Sequence, residues 1–455
     1  MASPERPSNG NKPSRQTRVR SSLRIGARSG RPASPPGGRG LTLSITALNE
    51  FGYGVGQRNG QTFTVARTAP GDQVVTGPPR SADRWTSADL VKVVKAGPDR
   101  VLPPCPAFTR GCGGCQWLHL AYSAQLSWKE KTLAGLLRSR AGYAGKINPI
   151  VPMAHPEAYR NKLSLKNSGG SLVFVPEFDE ASLAPVHCMV QTPALQRAWG
   201  SLKTHPVPPS IEQVHLRSNG LGQVGLHAFV KEGSAGLEPA LLSLLAACPG
   251  AIGLGATGRK GYRHVAGERV LPQSVADTIW LIPHNGFFQT NQTQAGALLD
   301  LVRREAKVTK TDRVLDLYCG AGFFGLALAA EAREVTGIEE NPQSVESAQA
   351  SARRSGIANA TFEAGDLGDV LARIDKAPGE IAVVDPPREG LLPRAREAIV
   401  ARSPRRIVYI SCYPPSLVRD YKSLSASGWR GISCTPVDMF PHTSHVEIVL
   451  TLERA

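Results

Sequence analysis

Arg313-Val-Leu-Asp-Leu-Tyr-Cys-Gly-Ala-Gly-Phe-Phe-Gly325 decides the fold. Its first six residues form an apolar strand. Gly320, Gly322 and Gly325 then satisfy G-x-G-x-x-G, and a helix-forming run follows at residues 326–332. A second strand over residues 334–338 ends at Glu339, 19 residues after Gly320, where an acid typically holds ribose hydroxyls. Strand, glycine loop, helix and acid in register predict a Rossmann-like α/β domain for an adenosine-bearing cofactor. NAD and S-adenosylmethionine both fit at this point.

Three later segments narrow the chemistry. Ile381-Ala-Val-Val-Asp385-Pro-Pro-Arg388 puts an acid and two prolines at a strand end, where ligands sit in open α/β sheets. Arg406-Ile-Val-Tyr-Ile-Ser-Cys412-Tyr-Pro-Pro415 ends another strand in a cysteine. Such a thiol, at a carboxyl end and followed by a loop, is open to activation as a nucleophile. Met439-Phe-Pro-His442-Thr-Ser-His-Val-Glu447 then places an acid before a closing strand at residues 448–452. Two acids and a thiol thus converge at one edge of the cofactor sheet. Cys319 reads as packed beside the cofactor, and Cys248 and Cys434 as ordinary buried thiols.

Upstream lies a cysteine run, Cys105-Pro-Ala-Phe-Thr-Arg-Gly-Cys112-Gly-Gly-Cys115, a C-x6-C-x2-C pattern in a Gly/Pro-rich loop. Cys188 is the next cysteine, and four thiolates suit structural zinc or an iron–sulfur cluster. Between these ligands, Arg160, Lys162, Ser164 and Lys166 share one face at a strand's period of two. They form a basic stripe suited to phosphates. Short strand-like runs from Leu41 to about residue 95, with Phe51-Gly-Tyr-Gly-Val-Gly56 and Arg58-Asn-Gly60 read as turns, predict a small OB-like β-barrel.

Composition bounds the rest. The 455 residues suggest about three domains. Lys and Arg number 53 against 37 Asp and Glu, a net charge of +16 that points to a polyanionic partner, most simply a nucleic acid. Residues 1–40 hold nine basic residues and one acid, which is +8, half of that total. With six Pro, six Gly and seven Ser, this segment has little to bury and is expected to be a disordered arm. No apolar run approaches the roughly 18 residues of a membrane helix, and no export signal is expected at the start. Eight cysteines are too few for a disulfide scaffold. A monomeric cytoplasmic protein is expected.

These residues resemble the S-adenosylmethionine-dependent RNA uracil-5-methyltransferases over about residues 41–455. The most specific matches are Asp385-Pro-Pro-Arg, Ser411-Cys412-x-Pro and His445-Val-Glu447, with Phe287-Phe-Gln289-x-Asn291 and Asp316-Leu-Tyr-Cys-Gly-x-Gly322 for the cofactor segment. The resemblance implies a TRAM (OB-like) RNA-binding module at 41–100, a central α+β domain at 101–276 and a methyltransferase domain at 277–455. It implies a 4Fe–4S site on Cys105, Cys112, Cys115 and Cys188. It also implies that Gln289, Tyr318, Glu339, Asp366 and Asp385 contact cofactor or target base. One departure stands out: Phe323 occupies a position where the family commonly has Asn.

The implied chemistry explains these residue types. Cys412 would add to carbon 6 of uracil and make carbon 5 nucleophilic towards the sulfonium methyl. Glu447 would then remove the carbon 5 proton, so that elimination frees Cys412. Reaching both faces of the ring requires a flipped-out uridine. The TRAM-like module with four cysteines favours ribosomal RNA as substrate, with transfer RNA as the alternative. An iron–sulfur or NAD oxidoreductase would leave Cys412, Glu447 and the charge unexplained together. A non-catalytic RNA-binding protein would leave the thiol and acid idle.

Overall fold

The computed structural model describes residues 40–82, 85–174, 187–234 and 236–454. The expected basic arm, apart from Gly40, lies outside them. The site rests on an eight-stranded sheet in the order Ala360–Ala364, Glu334–Glu339, Arg313–Leu317, Ile381–Val384, Arg406–Ser411, Glu447–Arg454, Trp429–Val437 and Lys146–Ile147. The first five strands are parallel, and Glu447–Arg454 runs antiparallel to both neighbours. Ile381–Val384 and Arg406–Ser411 are buried at every position, which is why they read as apolar runs rather than alternating ones. Helices Gln292–Ala306, Phe323–Leu328 and Pro342–Arg354 cover one face of the sheet. Tyr122–Ala141, Leu367–Arg373, Pro393–Arg402 and Pro414–Ala426 cover the other. Strand order reverses beside Arg313–Leu317, so a crevice opens at the carboxyl ends there.

The glycine loop is built as its spacing requires, but its helix starts three residues early, at Phe323 instead of Leu326. Gly322, at φ 77°, caps that helix, and Gly325 N donates to Asp316 Oδ2 at 2.7 Å. A Cβ on Gly325 would stand 2.8 Å from the same oxygen, so only glycine lets helix and strand approach this closely. Phe323 is buried against Trp280 and Phe288, with ring centroids 5.2 and 5.4 Å away. Phe323 is thus part of an aromatic core.

The central body is a six-stranded sheet in the order Ser171–Val173, Lys162–Ser168, Ile211–Ser218, Val224–Val230, Ala251–Gly258 and Gly261–Gly267. Helices Pro193–Leu202 and Leu237–Ala246 pack on one face. Residues 122–150 leave this body: Leu133, Leu137 and Ile150 join the core of the C-terminal sheet, and Lys146–Ile147 forms its edge strand. The chain therefore does not part cleanly at residue 276.

Seven short strands make up the N-terminal part, around Leu43, Ile45, Phe63, Val65 and Val74. The stretch 54–58, expected within turns, is a strand. Gly54 and Gly56 serve close approach: a Cβ on Gly54 would meet Thr68 Oγ1 at 2.0 Å, and one on Gly56 would meet Ser44 O at 2.9 Å. Buried Asp72 ties this part to the next segment, accepting from Gly97 N at 2.8 Å and from Arg100 Nη2 at 2.7 Å. Among the described residues no helix is long and apolar enough to cross a membrane.

Candidate active site

Two adjacent strands bring the thiol and the acid together. Ser411 pairs with Ile448 across the antiparallel ladder, so the next residues on each strand, Cys412 and Glu447, stand opposite one another at its end. Val384 pairs with Tyr409 on the other side, which places Asp385 beside the same strand end. Arg388, from the Pro-Pro turn after Asp385, lies over the Tyr413 ring at 4.6 Å. Four groups from three separate segments thus share one rim.

Burial governs their protonation. It drives the Cys412 thiol up to about 12, with Glu447 and Asp385 adding to the rise and Arg388 opposing it. Burial raises Asp385 to about 7 and holds Glu447 well above the usual carboxylate range, where Asp385 lifts it further. The two acids therefore titrate as a pair. His445 is pushed down to about 4, chiefly by burial and then by Arg388, so its ring is neutral here. The resting thiol is protonated, and attack requires that its proton leave as the nucleophile engages.

The crevice lies at neighbouring strand ends. Tyr318 and Gly320 both have positive φ, 62° and 54°, which turns the chain sharply out of the strand. Glu339 accepts from Gly320 N at 3.2 Å and Asn341 N at 2.9 Å, and a carboxylate retains further lone pairs for hydroxyl donors. Asp366 caps helix Leu367–Arg373 by accepting from Asp369 N at 3.1 Å, and it faces Arg394 at 3.5 Å. The Tyr318 hydroxyl rises to about 12 through burial and the nearby Glu340 and Asp366. Gln289 is buried on the loop leading into Gln292–Ala306, where Asn161 Nδ2 donates to its carbonyl at 3.0 Å. Asp316, within strand Arg313–Leu317, is buried and raised to about 7 by desolvation.

The loop preceding Glu447 is clamped from three directions. Lys129 and Tyr122, on helix Tyr122–Ala141, meet Asp438 at 2.5 and 2.6 Å. Trp117 N donates to His442 O at 2.8 Å, and Ser444 N donates to Gln116 Oε1 at 3.0 Å. From the N-terminal part, Phe51 O accepts from Ser444 Oγ at 3.3 Å. Lys129, Tyr122 and Asp438 escape sequence reading because their separation exceeds 300 residues and a lone buried charge carries no local pattern.

Cys105, Cys115 and Cys188 line one small apolar cluster with Phe108, Met153 and Tyr159. Cys112 lies at the end of the turn that follows Cys105, where Cys112 N donates to Ala107 O at 2.9 Å. Burial raises the Cys115 thiol, and the charges of Cys188, Cys112 and Cys105 raise it further, so the four are neighbours. Among the described residues, however, no three His, Cys, Asp or Glu side chains are gathered as one ion's coordination shell. Cys248, Cys319 and Cys434 are buried.

Comparison with known proteins is consistent along the chain. Residues 308–384 match a methyltransferase domain, and residues 369–455 match a family described as tRNA (uracil-5-)-methyltransferase. An uncharacterized RNA methyltransferase of Gloeobacter violaceus is 34% identical, over 94% of this chain and 100% of its own length. One of Chlorobaculum tepidum is 30% identical, over 85% and 90%. The crystal structure of Pyrococcus abyssi tRNA (uracil-54, C5)-methyltransferase with S-adenosyl-L-homocysteine superposes with a TM-score of 0.74 at 26% identity, covering 90% of this chain and 99% of that one.

Proposed function

The chain belongs to a family of RNA methyltransferases, and from that premise we propose that it methylates carbon 5 of a uridine in RNA through a covalent Cys412 adduct. The observation that carries this reading is the opposition of Cys412 and Glu447 across a strand pair, beside Asp385 and next to the cofactor crevice. Tyr318, Gly320, Gly322, Glu339 and Asp366, with Gln289 nearby, would hold S-adenosylmethionine, which would supply an electrophilic methyl group. Cys412, losing its proton to solvent as the base engages, would bond to carbon 6; the electron pair displaced to carbon 5 would then take the methyl as the sulfur–methyl bond breaks and S-adenosylhomocysteine leaves. Glu447, once its own proton has left, would accept the carbon 5 proton, the Cys412–carbon 6 bond would break to release the thiolate, and the ring double bond would return. Asp385 orients the base by hydrogen bonding. Radiolabelled methyl from S-adenosylmethionine should appear in 5-methyluridine after RNA digestion. Label in another nucleoside, or none in RNA, overturns the assignment.

We assign residues 41–100 as an RNA-binding TRAM module, 101–276 as the central domain apart from the excursion of residues 122–150 into the C-terminal sheet, and 277–455 as the methyltransferase domain. Cys105, Cys112, Cys115 and Cys188 would hold a 4Fe–4S cluster, a reading supported by the all-thiol donor set around one apolar cluster. The cluster's place is structural: the same segment grips the Glu447 loop through Gln116 and Trp117. The substrate we favour is 23S ribosomal RNA, on the strength of the N-terminal module and the four cysteines. Transfer RNA is the second reading, supported by the Pyrococcus abyssi enzyme's own substrate. Mapping 5-methyluridine in both RNA fractions of a deletion strain decides between them.

A further inference from the structure

The central sheet buries Leu163, Leu165, Val214, Leu216, Leu226 and Ala228 under its two helices. Its opposite face has another character. Strand registers align Lys166, Gln213 and Phe229 in one row across it, Ser164, His215 and His227 in the next, and Lys162 with Arg217 in a third. Ser164 and Lys166 are exposed, while Lys162, His215 and Phe229 are half-buried. The rings form a continuous layer: His215 and His227 lie 4.9 and 4.5 Å from Phe229, and Tyr262 lies 6.0 Å from His227. Gly255 makes room for that layer, since a Cβ there would fall 2.4 Å from the Tyr262 ring.

A ring layer edged by lysines suits one kind of occupant. Unstacked bases offer flat faces to aromatic side chains, and their phosphates offer negative charge to lysines. Burial keeps His215 down near about 4 and His227 near about 3, so both rings are neutral and apolar at physiological pH. Charge along the edge comes from Lys162, Lys166 and Arg160. The face also leads to the site already described. Arg217 Nη1 donates to Phe288 O at 3.0 Å, on the loop that carries Gln289. Arg160, just before Lys162, is one of the charges that lower His445 at the active-site rim.

We propose that this face is a platform for single-stranded RNA, with bases stacking on Phe229 and His215 and phosphates meeting Lys166, Lys162 and Arg160. The proposal rests on RNA being the substrate and adds where the strand flanking the target uridine lies.

Fluorescence anisotropy of the full-length protein with a labelled oligouridylate of about 12 nucleotides tests it, with a duplex RNA of equal length as comparison. Phe229→Leu, which keeps apolar bulk but removes the ring, should weaken single-strand binding at least about fivefold, the lower end for one lost stack. Its duplex affinity and salt dependence should not change, and Phe229→Tyr should bind as wild type. Lys166→Gln, at an exposed position, should reduce the slope of log affinity against log salt by about 0.7. Undiminished binding by Phe229→Leu, equal loss for duplex, or an unchanged slope for Lys166→Gln overturns the platform. Methyl transfer is measured in parallel. A wild type that binds the oligonucleotide yet methylates no uridine in RNA from a deletion strain overturns the proposed reaction and leaves the platform standing.

Discussion

Lys129 Nζ stands 2.5 Å from Asp438 Oδ1, and both side chains are almost wholly removed from solvent. Burial works against the lysine's charge and the aspartate restores it. Two charges taken out of water at this cost hold only while both are present. The pair joins helix Tyr122–Ala141 to the loop that ends in Glu447, so a contact remote from the reacting atoms positions the base.

Lys129→Met should therefore destabilise the fold by about 3–5 kcal/mol, the usual cost of leaving one buried charge unpaired. Denaturant unfolding measures this. Lys129→Met with Asp438→Leu should recover most of the loss. In the surviving folded fraction, kcat should fall while KM for S-adenosylmethionine stays near wild type, since the crevice lies at other strand ends. A loss confined to that KM would show that the pair serves the cofactor instead.

Cys412→Ala and Glu447→Gln should fail in different ways. The first removes the nucleophile and should abolish methyl transfer while S-adenosylmethionine still binds. The second permits addition and methyl transfer but stalls before proton removal. It should accumulate a protein–RNA adduct that survives denaturing electrophoresis and disappears in the double variant. Normal turnover by Glu447→Gln, or an adduct independent of Cys412, contradicts the assigned roles.

The buried acids set a pH dependence of stability. In the unfolded chain Asp385 and Glu447 ionise near their ordinary values of 3.8 and 4.5, whereas burial holds both protonated to higher pH in the folded state. Between about pH 4 and pH 7 the folded protein binds more protons, so its stability falls as pH rises through that window. Asp385→Asn with Glu447→Gln removes these two contributions, though Asp316 still makes its own. The double variant's melting temperature should exceed the wild type's by a margin that grows from about pH 5 to pH 8. Identical pH slopes would mean that the pair is ionised in the folded protein.

For the four thiols, protein purified without oxygen should be brown and contain about four iron atoms per chain. Cys112→Ser should bleach it and loosen the Gln116–Ser444 contact, measurable as faster proteolysis of the loop before Glu447. Stoichiometric zinc without iron in the same preparation would replace the cluster with a structural zinc site.

Much of the methyltransferase half is legible because its elements are local. A buried parallel strand is a short apolar run, and the residues that end it, Asp385 and Cys412, stand next to the run in sequence. The Glu447 strand is equally plain. The glycine loop marks itself because Gly322 needs positive φ and Gly325 needs empty space beside Asp316. In the N-terminal part the same residue type misleads: Gly54 and Gly56 read as turns, yet they sit in a strand because neighbouring chain passes too close for a Cβ.

By itself the sequence determined the apolar strands at the centre of the C-terminal sheet, where the cofactor loop falls, and which thiol and acids end up at strand termini. Each of these is written in residues adjacent along the chain, through side-chain period or backbone conformation. The tertiary structure alone decided that Cys412 faces Glu447, since register depends on how whole strands pair. It alone sent Lys146–Ile147 to the far edge of the C-terminal sheet, because two residues carry no periodic pattern. It turned Phe323 into core by surrounding it with Trp280 and Phe288. It also gave Lys129 its partner 309 residues away, because a buried charge is satisfied by whatever packing brings near, and packing is a property of the whole fold.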